Sequence, residues 1–95
     1  MPLHIAIGRQ NEVSVAAVIR IIAEIAGRDP GSLTEHTNLY TELDLDSLGE
    51  LEVLVALEDC FDVDISTRDS QRIKTVGDLT ALVRQLALKR TSRGA

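Results

Sequence analysis

The chain has 95 residues, enough for one domain with one core, and its hydrophobic fraction of 44% includes only one Tyr, one Phe and no Trp. The core must therefore be built from Leu, Ile, Val and Ala, a composition that suits packed helices better than a β-sandwich. The net charge of −5 is uneven: from Glu35 to Asp69 eleven acids stand against Arg68 alone, a local −10, which repels nucleic acid and anionic membranes and attracts basic protein surfaces.

Residues 1–11, MPLHIAIGRQN, hold an early Pro and a Gly and read as a flexible N-terminal arm. A helix is expected from about Glu12, with Asn11 as N-cap, carrying Val18, Ile22 and Ile25 on one face and Val13, Ala17 and Ile21 beside them. Gly27 and then Pro30 end it. The connection over residues 28–46 exceeds the roughly 12–15 residues usual for structureless loops, so it is functional or tucked in by its own side chains. Leu33, Leu39, Tyr40, Leu43 and Leu45 are the candidates for tucking in.

A second helix is expected from Ser47 to Cys60, with Leu48, Leu51 and Val55 on one apolar ridge, Leu54, Leu57 and Phe61 on another, and an acidic solvent face. Both ridges read first as core, and Cys60 reads as a small buried hydrophobe. Ser66 and Asp69, three apart, suggest a short helix over 67–72. Thr75 and Asp78 repeat that pattern before Val76, Leu79, Val83 and Leu86, with Leu82 beside them, which predicts a last helix from Val76 to about Leu88. Residues 89–95, KRTSRGA, read as a basic flexible tail. The expected fold is an all-α, up-and-down helical bundle of three main helices plus one short helix.

No apolar run approaches the roughly 20 residues of a membrane span, and the N-terminus lacks a signal pattern, so a soluble, unprocessed chain is expected, and a monomer is the expected state. A lone cysteine excludes an internal disulfide, and with only His4 and His36 as companions it gives no zinc spacing. A reducing cytoplasmic setting without a metal follows.

Chemistry concentrates at Asp46-Ser47-Leu48, where the long connection turns into the acidic helix. A helix start offers unpaired N–H groups and the positive end of the dipole, a suitable setting for a phosphate ester on a serine oxygen. It is equally a place where Asp46 or Ser47 merely caps the helix. Local spacing leaves both readings open. Serine hydrolysis fails because the nucleophile elbow needs Gly two residues before the serine, and Leu45 stands there. A calcium loop beginning at Asp44 fails because its fifth place is Leu48 and its twelfth is Val55.

The stretch LYTELDLDSLGELEVLVALEDCFDVDI, residues 39–65, resembles the core signature of acyl carrier proteins: a loop ending in Asp-Ser-Leu, then an acidic helix ending Leu-Glu-x-x-Phe. Downstream, ISTRDSQRIKTVGDL is similar to the third and fourth helices of carriers that serve fatty acid synthesis. The similarity covers a carrier domain at residues 12–88. It implies that Ser47, flanked by Asp46, bears a covalent 4′-phosphopantetheine arm derived from coenzyme A. The arm's thiol would hold acyl intermediates as thioesters in fatty acid, polyketide or related biosynthesis. The chain would then be a carrier with no catalytic residues, not an enzyme.

The resemblance also implies partners: a phosphopantetheinyl transferase, and acyl-loading and synthase enzymes with basic docking patches. Glu50, Glu52, Glu58 and Asp59 become their charged contacts, with Leu48 and Val55 as apolar contacts between. The family's core can also open to sequester an acyl chain. Two positions depart from the pattern: Asp44 stands where the family often has Gly, and Gly49 replaces a common acidic or polar residue. Gly49 also occurs in carriers of amino acids, so an aminoacyl or peptidyl carrier is the alternative cargo reading. An unmodified acidic helical adaptor, with Ser47 only a cap, is the alternative from a different class.

Overall fold

The computed structural model describes residues 13–94, with side chains through Lys89. Among these residues four α-helices follow one another: α1 (Val15–Ala26), α2 (Ser47–Phe61), α3 (Thr67–Ser70) and α4 (Val76–Gly94), with a 3-10 turn at Pro30–Ser32. Among the described residues there is no strand, only an isolated antiparallel bridge between Asn38 and Thr75. α1 packs on α2 and α4, and α2 packs on α4. The expected all-α class of three main helices and one short one is what forms. No helix among the described residues is long and apolar enough to cross a membrane.

α1 begins later than the expected Glu12, at Val15, because Ser14 is its cap: the Ser14 hydroxyl accepts the Ala17 N–H at 3.1 Å. Val13 before the cap and Val18 after it are both buried, the arrangement that fixes a chain's approach to a helix. Asn11 and the arm at 1–11 lie outside the described residues. The buried line of α1 is Val18, Ile22 and Ala23, while Ala17, Ile21 and Ile25 are half-buried. Gly27, in the left-handed region at φ 69°, ends the helix as expected. Pro30 does more than stop α1, for it opens the 3-10 turn, where the Asp29 carboxylate accepts the Gly31 N–H at 3.0 Å.

The long connection is tucked in by the side chains that its sequence suggests. Leu33, Leu39 and Leu43 are buried, and Tyr40 and Leu45 are half-buried against the core. Its first half runs along the start of α4: Leu39 donates its N–H to the Lys74 carbonyl at 2.8 Å, Val76 to Thr37 at 3.0 Å and Gly77 to Glu35 at 2.7 Å. A Cβ on Gly77 would stand 3.0 Å from that Glu35 carbonyl oxygen. The backbones approach this closely because residue 77 has no side chain.

α2 buries Val53, Leu57 and Phe61, a stripe of four-residue spacing, with Leu54 half-buried beside it. The ridge of Leu48, Leu51 and Val55, expected to be core, is instead exposed, at 64%, 56% and 45%. Two apolar ridges compete on this helix, and the packing of α1 and α4 selects the one that ends at Phe61. Cys60 is likewise exposed and not buried, since it precedes Phe61 by one residue and so turns about 100° away from it.

α3 is capped by Ser66, whose hydroxyl accepts the Asp69 N–H at 3.0 Å, and it ends at Ser70, before the expected residue 72. α4 starts with a reciprocal cap. The Asp78 carboxylate accepts the Lys74 and Thr75 N–H groups at 3.0 and 3.1 Å, and the Thr75 hydroxyl accepts the Asp78 N–H at 3.1 Å. Its buried face is Val76, Leu79, Thr80 and Val83. The Thr80 hydroxyl is satisfied by the Val76 carbonyl at 2.9 Å. α4 continues to Gly94, past the Leu88 at which the sequence pattern ends it.

Candidate functional site

Ser47 is the first residue of α2 and is exposed. The cap is Asp46, whose carboxylate accepts the Gly49 N–H at 2.8 Å while its carbonyl accepts the Glu50 N–H at 2.9 Å. Asp46 therefore discharges the capping role, and the Ser47 hydroxyl makes no hydrogen bond among the described residues. The N–H groups of the first turn and the positive end of the helix dipole surround that hydroxyl, which suits an anionic ester on its oxygen.

The loop reaches Ser47 through a folded turn. The Asn38 side-chain oxygen accepts the Tyr40 and Thr41 N–H groups, both at 2.9 Å, the Glu42 carboxylate accepts the Asn38 N–H at 3.0 Å, and Leu45 donates to the Leu39 carbonyl at 3.2 Å. Asp44 adopts φ 53°, the left-handed region that favours glycine. The position at which the sequence departs from its resembling family is thus one where a glycine would be unstrained. Gly49 has a local reason too: a Cβ there would lie 3.0 Å from Leu45 Cδ2 and 3.2 Å from the capping oxygen of Asp46.

Ser47 opens onto a cleft of about 320 Å³ between α2 and the segment that forms α3. Leu51, Leu54, Val55 and Ile65 supply its apolar lining, and Glu50, Glu58, Ser66, Thr67 and Ser70 its polar lining. The wall opposite α2 is fastened by Glu58, whose carboxylate accepts the Ile65 N–H at 2.8 Å. At the other end, the Tyr40 hydroxyl donates to the Glu50 carboxylate at 2.7 Å. Burial, with the Glu50 hydrogen bond and its negative charge adding to it, pushes the Tyr40 phenol up to about 12.

The acids expected on one partner face fall into two groups. Glu50 and Glu58 are half-buried and hold the protein's own loop and backbone. Glu52 and Asp59 are exposed and have neither an ion pair nor a hydrogen bond among the described residues. Leu48 and Val55 lie exposed on the same helix, as the resemblance implies, and Leu51 joins them between the two. Leu51 belongs to this surface although its sequence pattern placed it in the core. The signal was its spacing of three from Leu48 and four from Val55, both expected to be contacts.

A phosphopantetheine attachment site model matches residues 16–83 of the chain. The meromycolate extension acyl carrier protein of Mycobacterium tuberculosis (strain H37Rv) is 35% identical over 77 residues, 81% of this chain and 66% of that protein. The chain therefore spans just under two thirds of that relative's length. The acyl carrier protein of Rhodococcus erythropolis is 32% identical over 77 residues, covering 84% of its length. Among solved structures, one from Mycobacterium tuberculosis described as an acyl carrier protein superposes with a TM-score of 0.66 at 39% identity, covering 72% of this chain and 92% of the other.

Proposed function

The chain belongs to the acyl carrier protein family, the family of the phosphopantetheine attachment site, and from that premise we propose that Ser47 carries the 4′-phosphopantetheine arm. When attached, the arm supplies a thiol on which acyl intermediates are held as thioesters. The observation that carries the assignment is the division of labour at the start of α2: Asp46 caps the helix, and the adjacent Ser47 hydroxyl is exposed and unused. An adaptor in which Ser47 serves only as a cap loses its rationale there. Gly49, the one feature favouring an amino acid cargo, has a local rationale, since a Cβ there would crowd Leu45 and Asp46. Acyl cargo in fatty acid, polyketide or related lipid biosynthesis is therefore the reading we adopt.

The protein acts as a carrier and leaves catalysis to others. A transferase supplies the arm from coenzyme A, and acyl-loading and synthase enzymes dock on α2. Leu48, Leu51 and Val55 are the apolar part of that face, and Glu52 and Asp59, unpaired among the described residues, its charged part. Steering by uncompensated acids favours fast, salt-sensitive encounters with basic patches. The carrier domain is assigned to residues 12–88, with 1–11 and 89–95 as appendages. A cytoplasmic monomer is the working form, consistent with a free, exposed Cys60.

The test is intact mass after incubation with a phosphopantetheinyl transferase and coenzyme A. Wild type is expected to gain one phosphopantetheine group, and Ser47→Ala to gain none while keeping its helical circular dichroism, since the cap belongs to Asp46. Loading of Ser47→Ala, or failure of wild type to load with several transferases, refutes the assignment.

A further inference from the structure

The half of the long loop nearest α4 is held by backbone hydrogen bonds: the Glu35 and Thr37 carbonyls accept from Gly77 and Val76 at the start of that helix, and Leu39 donates to Lys74 just before it. The half that leads into Ser47 is held differently. Thr41, Glu42 and Asp44 are exposed, and Asp44 sits at positive φ. The Leu45 N–H returns to the Leu39 carbonyl at 3.2 Å and Leu43 is buried, and the side-chain link from this loop to the helix bearing Ser47 is the Tyr40 hydroxyl, which crosses to Glu50, one turn past Ser47, at 2.7 Å. Tyr40 packs against the core, so it offers a fixed point, and Glu50 lines the same cleft that opens at Ser47.

We propose that Tyr40 is a positioning residue for the loading of Ser47, acting through Glu50. The inference rests on Ser47 being the attachment point. An enzyme that modifies Ser47 must embrace the loop before it and the helix after it together, and the Tyr40–Glu50 bond fixes the angle between those two surfaces. Without the bond, the loop samples other orientations, and binding bears the cost of selecting the competent one. The Glu50 carboxylate is also held toward the loop, and freeing it would release a negative charge beside the attachment serine, where an incoming phosphate must sit. Tyr40 keeps its proton far into the alkaline range, so the bond persists throughout the pH range of ordinary assays.

The experiment measures loading by a transferase and coenzyme A for wild type, Tyr40→Phe, Glu50→Ala, Glu50→Gln and the double variant Tyr40→Phe/Glu50→Ala, with melting temperature alongside. Losing one hydrogen bond of ordinary strength predicts a rise in the KM for the carrier of about three- to tenfold, with kcat little changed, in each variant that breaks the bond. The double variant should be no worse than the single ones, because both remove the same interaction. Glu50→Gln keeps an acceptor oxygen for the tyrosine and should load much like wild type. If Glu50 instead acts by touching the transferase with its charge, Glu50→Gln will match Glu50→Ala, Tyr40→Phe will be silent, and the proposal is overturned. Equal KM for wild type and Tyr40→Phe overturns it as well. A wild type that does not load at all, or that loads when Ser47 is replaced, condemns the site assignment itself and is recognised before the variants are compared.

Discussion

The two long helices that follow loops, α2 and α4, begin in opposite ways. At α4 the cap is reciprocal, with Asp78 accepting two N–H groups and Thr75 accepting the Asp78 N–H. The loop at Glu35–Leu39 adds three backbone bonds to the same few residues, and Val76, Leu79 and Thr80 are buried at once. At α2 a single carboxylate, Asp46, caps one N–H, the preceding Asp44 is in the left-handed region, Gly49 sits in the first turn, and Asp46, Ser47 and Leu48 are all exposed. One start is built to hold the fold together. The other is less firmly fastened and leaves a serine hydroxyl and a helix end exposed, which suits the attachment site proposed there.

The contrast is tested most strongly by removing the two caps. Asp78→Ala strands two N–H groups and is expected to cost up to about 2 kcal/mol, whereas Asp46→Ala strands one and should cost about 1 kcal/mol or less. Chemical denaturation of both variants decides the order, and equal losses would erase the distinction between the two starts. Acid sharpens it. The N–H groups of Lys74 and Thr75 hold the Asp78 carboxyl below its ordinary value. A carboxylate whose pKa is lower in the folded state contributes stability that is present above its unfolded pKa and lost as the pH falls through the folded one. Below about pH 3.9, wild type should therefore lose stability that Asp78→Asn has already lost, and the two pH profiles should converge.

A smaller effect of opposite sign is expected at Asp44. Its φ of 53° costs a residue with a Cβ more than it costs glycine. Asp44→Gly should raise stability by about 0.5 kcal/mol, the relief of strain being partly offset by the greater freedom of glycine in the unfolded chain. A lower melting temperature would mean that the aspartate side chain supports the loop in a way that outweighs its backbone strain.

What the sequence disclosed follows the range of the interactions concerned. The pairs Ser66/Asp69 and Thr75/Asp78 and the break at Gly27 act over three or four residues, and each stands where its pattern puts it. The cap of α1 is Ser14, which the expectation of Asn11 missed, since both residue types cap well and it is the burial of Val13 that goes with Ser14. On α2 two apolar ridges are equally plausible in one dimension. Only the neighbours decide that Val53, Leu57 and Phe61 turn inward and Leu48, Leu51 and Val55 outward. The bonds from Tyr40 to Glu50 and from Ile65 to Glu58 span ten and seven residues across irregular backbone. No periodicity encodes such a path, so two acids that look like free surface charges prove to be structural. The proposal for Ser47 rests on sequence more than on geometry, because its neighbours form a dense local signature.

The smallest effect is expected at Gly49, and it bears on why the start of α2 is as weak as it is. In an open helix, replacing glycine by alanine gains roughly 1 kcal/mol. Here the new methyl would approach Leu45 Cδ2 to 3.0 Å and the Asp46 oxygen that caps the helix to 3.2 Å. Both neighbours are side-chain ends that can yield, but Leu45 is half-buried, and moving the Asp46 carboxylate lengthens the bond it makes to the Gly49 N–H. Gain and loss should nearly cancel, leaving Gly49→Ala within about 0.5 kcal/mol of wild type. If Gly49→Ala instead stabilises the protein by the full helix-propensity increment, the cap tolerates the methyl and the glycine is not kept by packing. A role in cargo or partner recognition would then regain its claim on that position, and the loading rate of the same variant, measured beside its melting temperature, would show whether it holds.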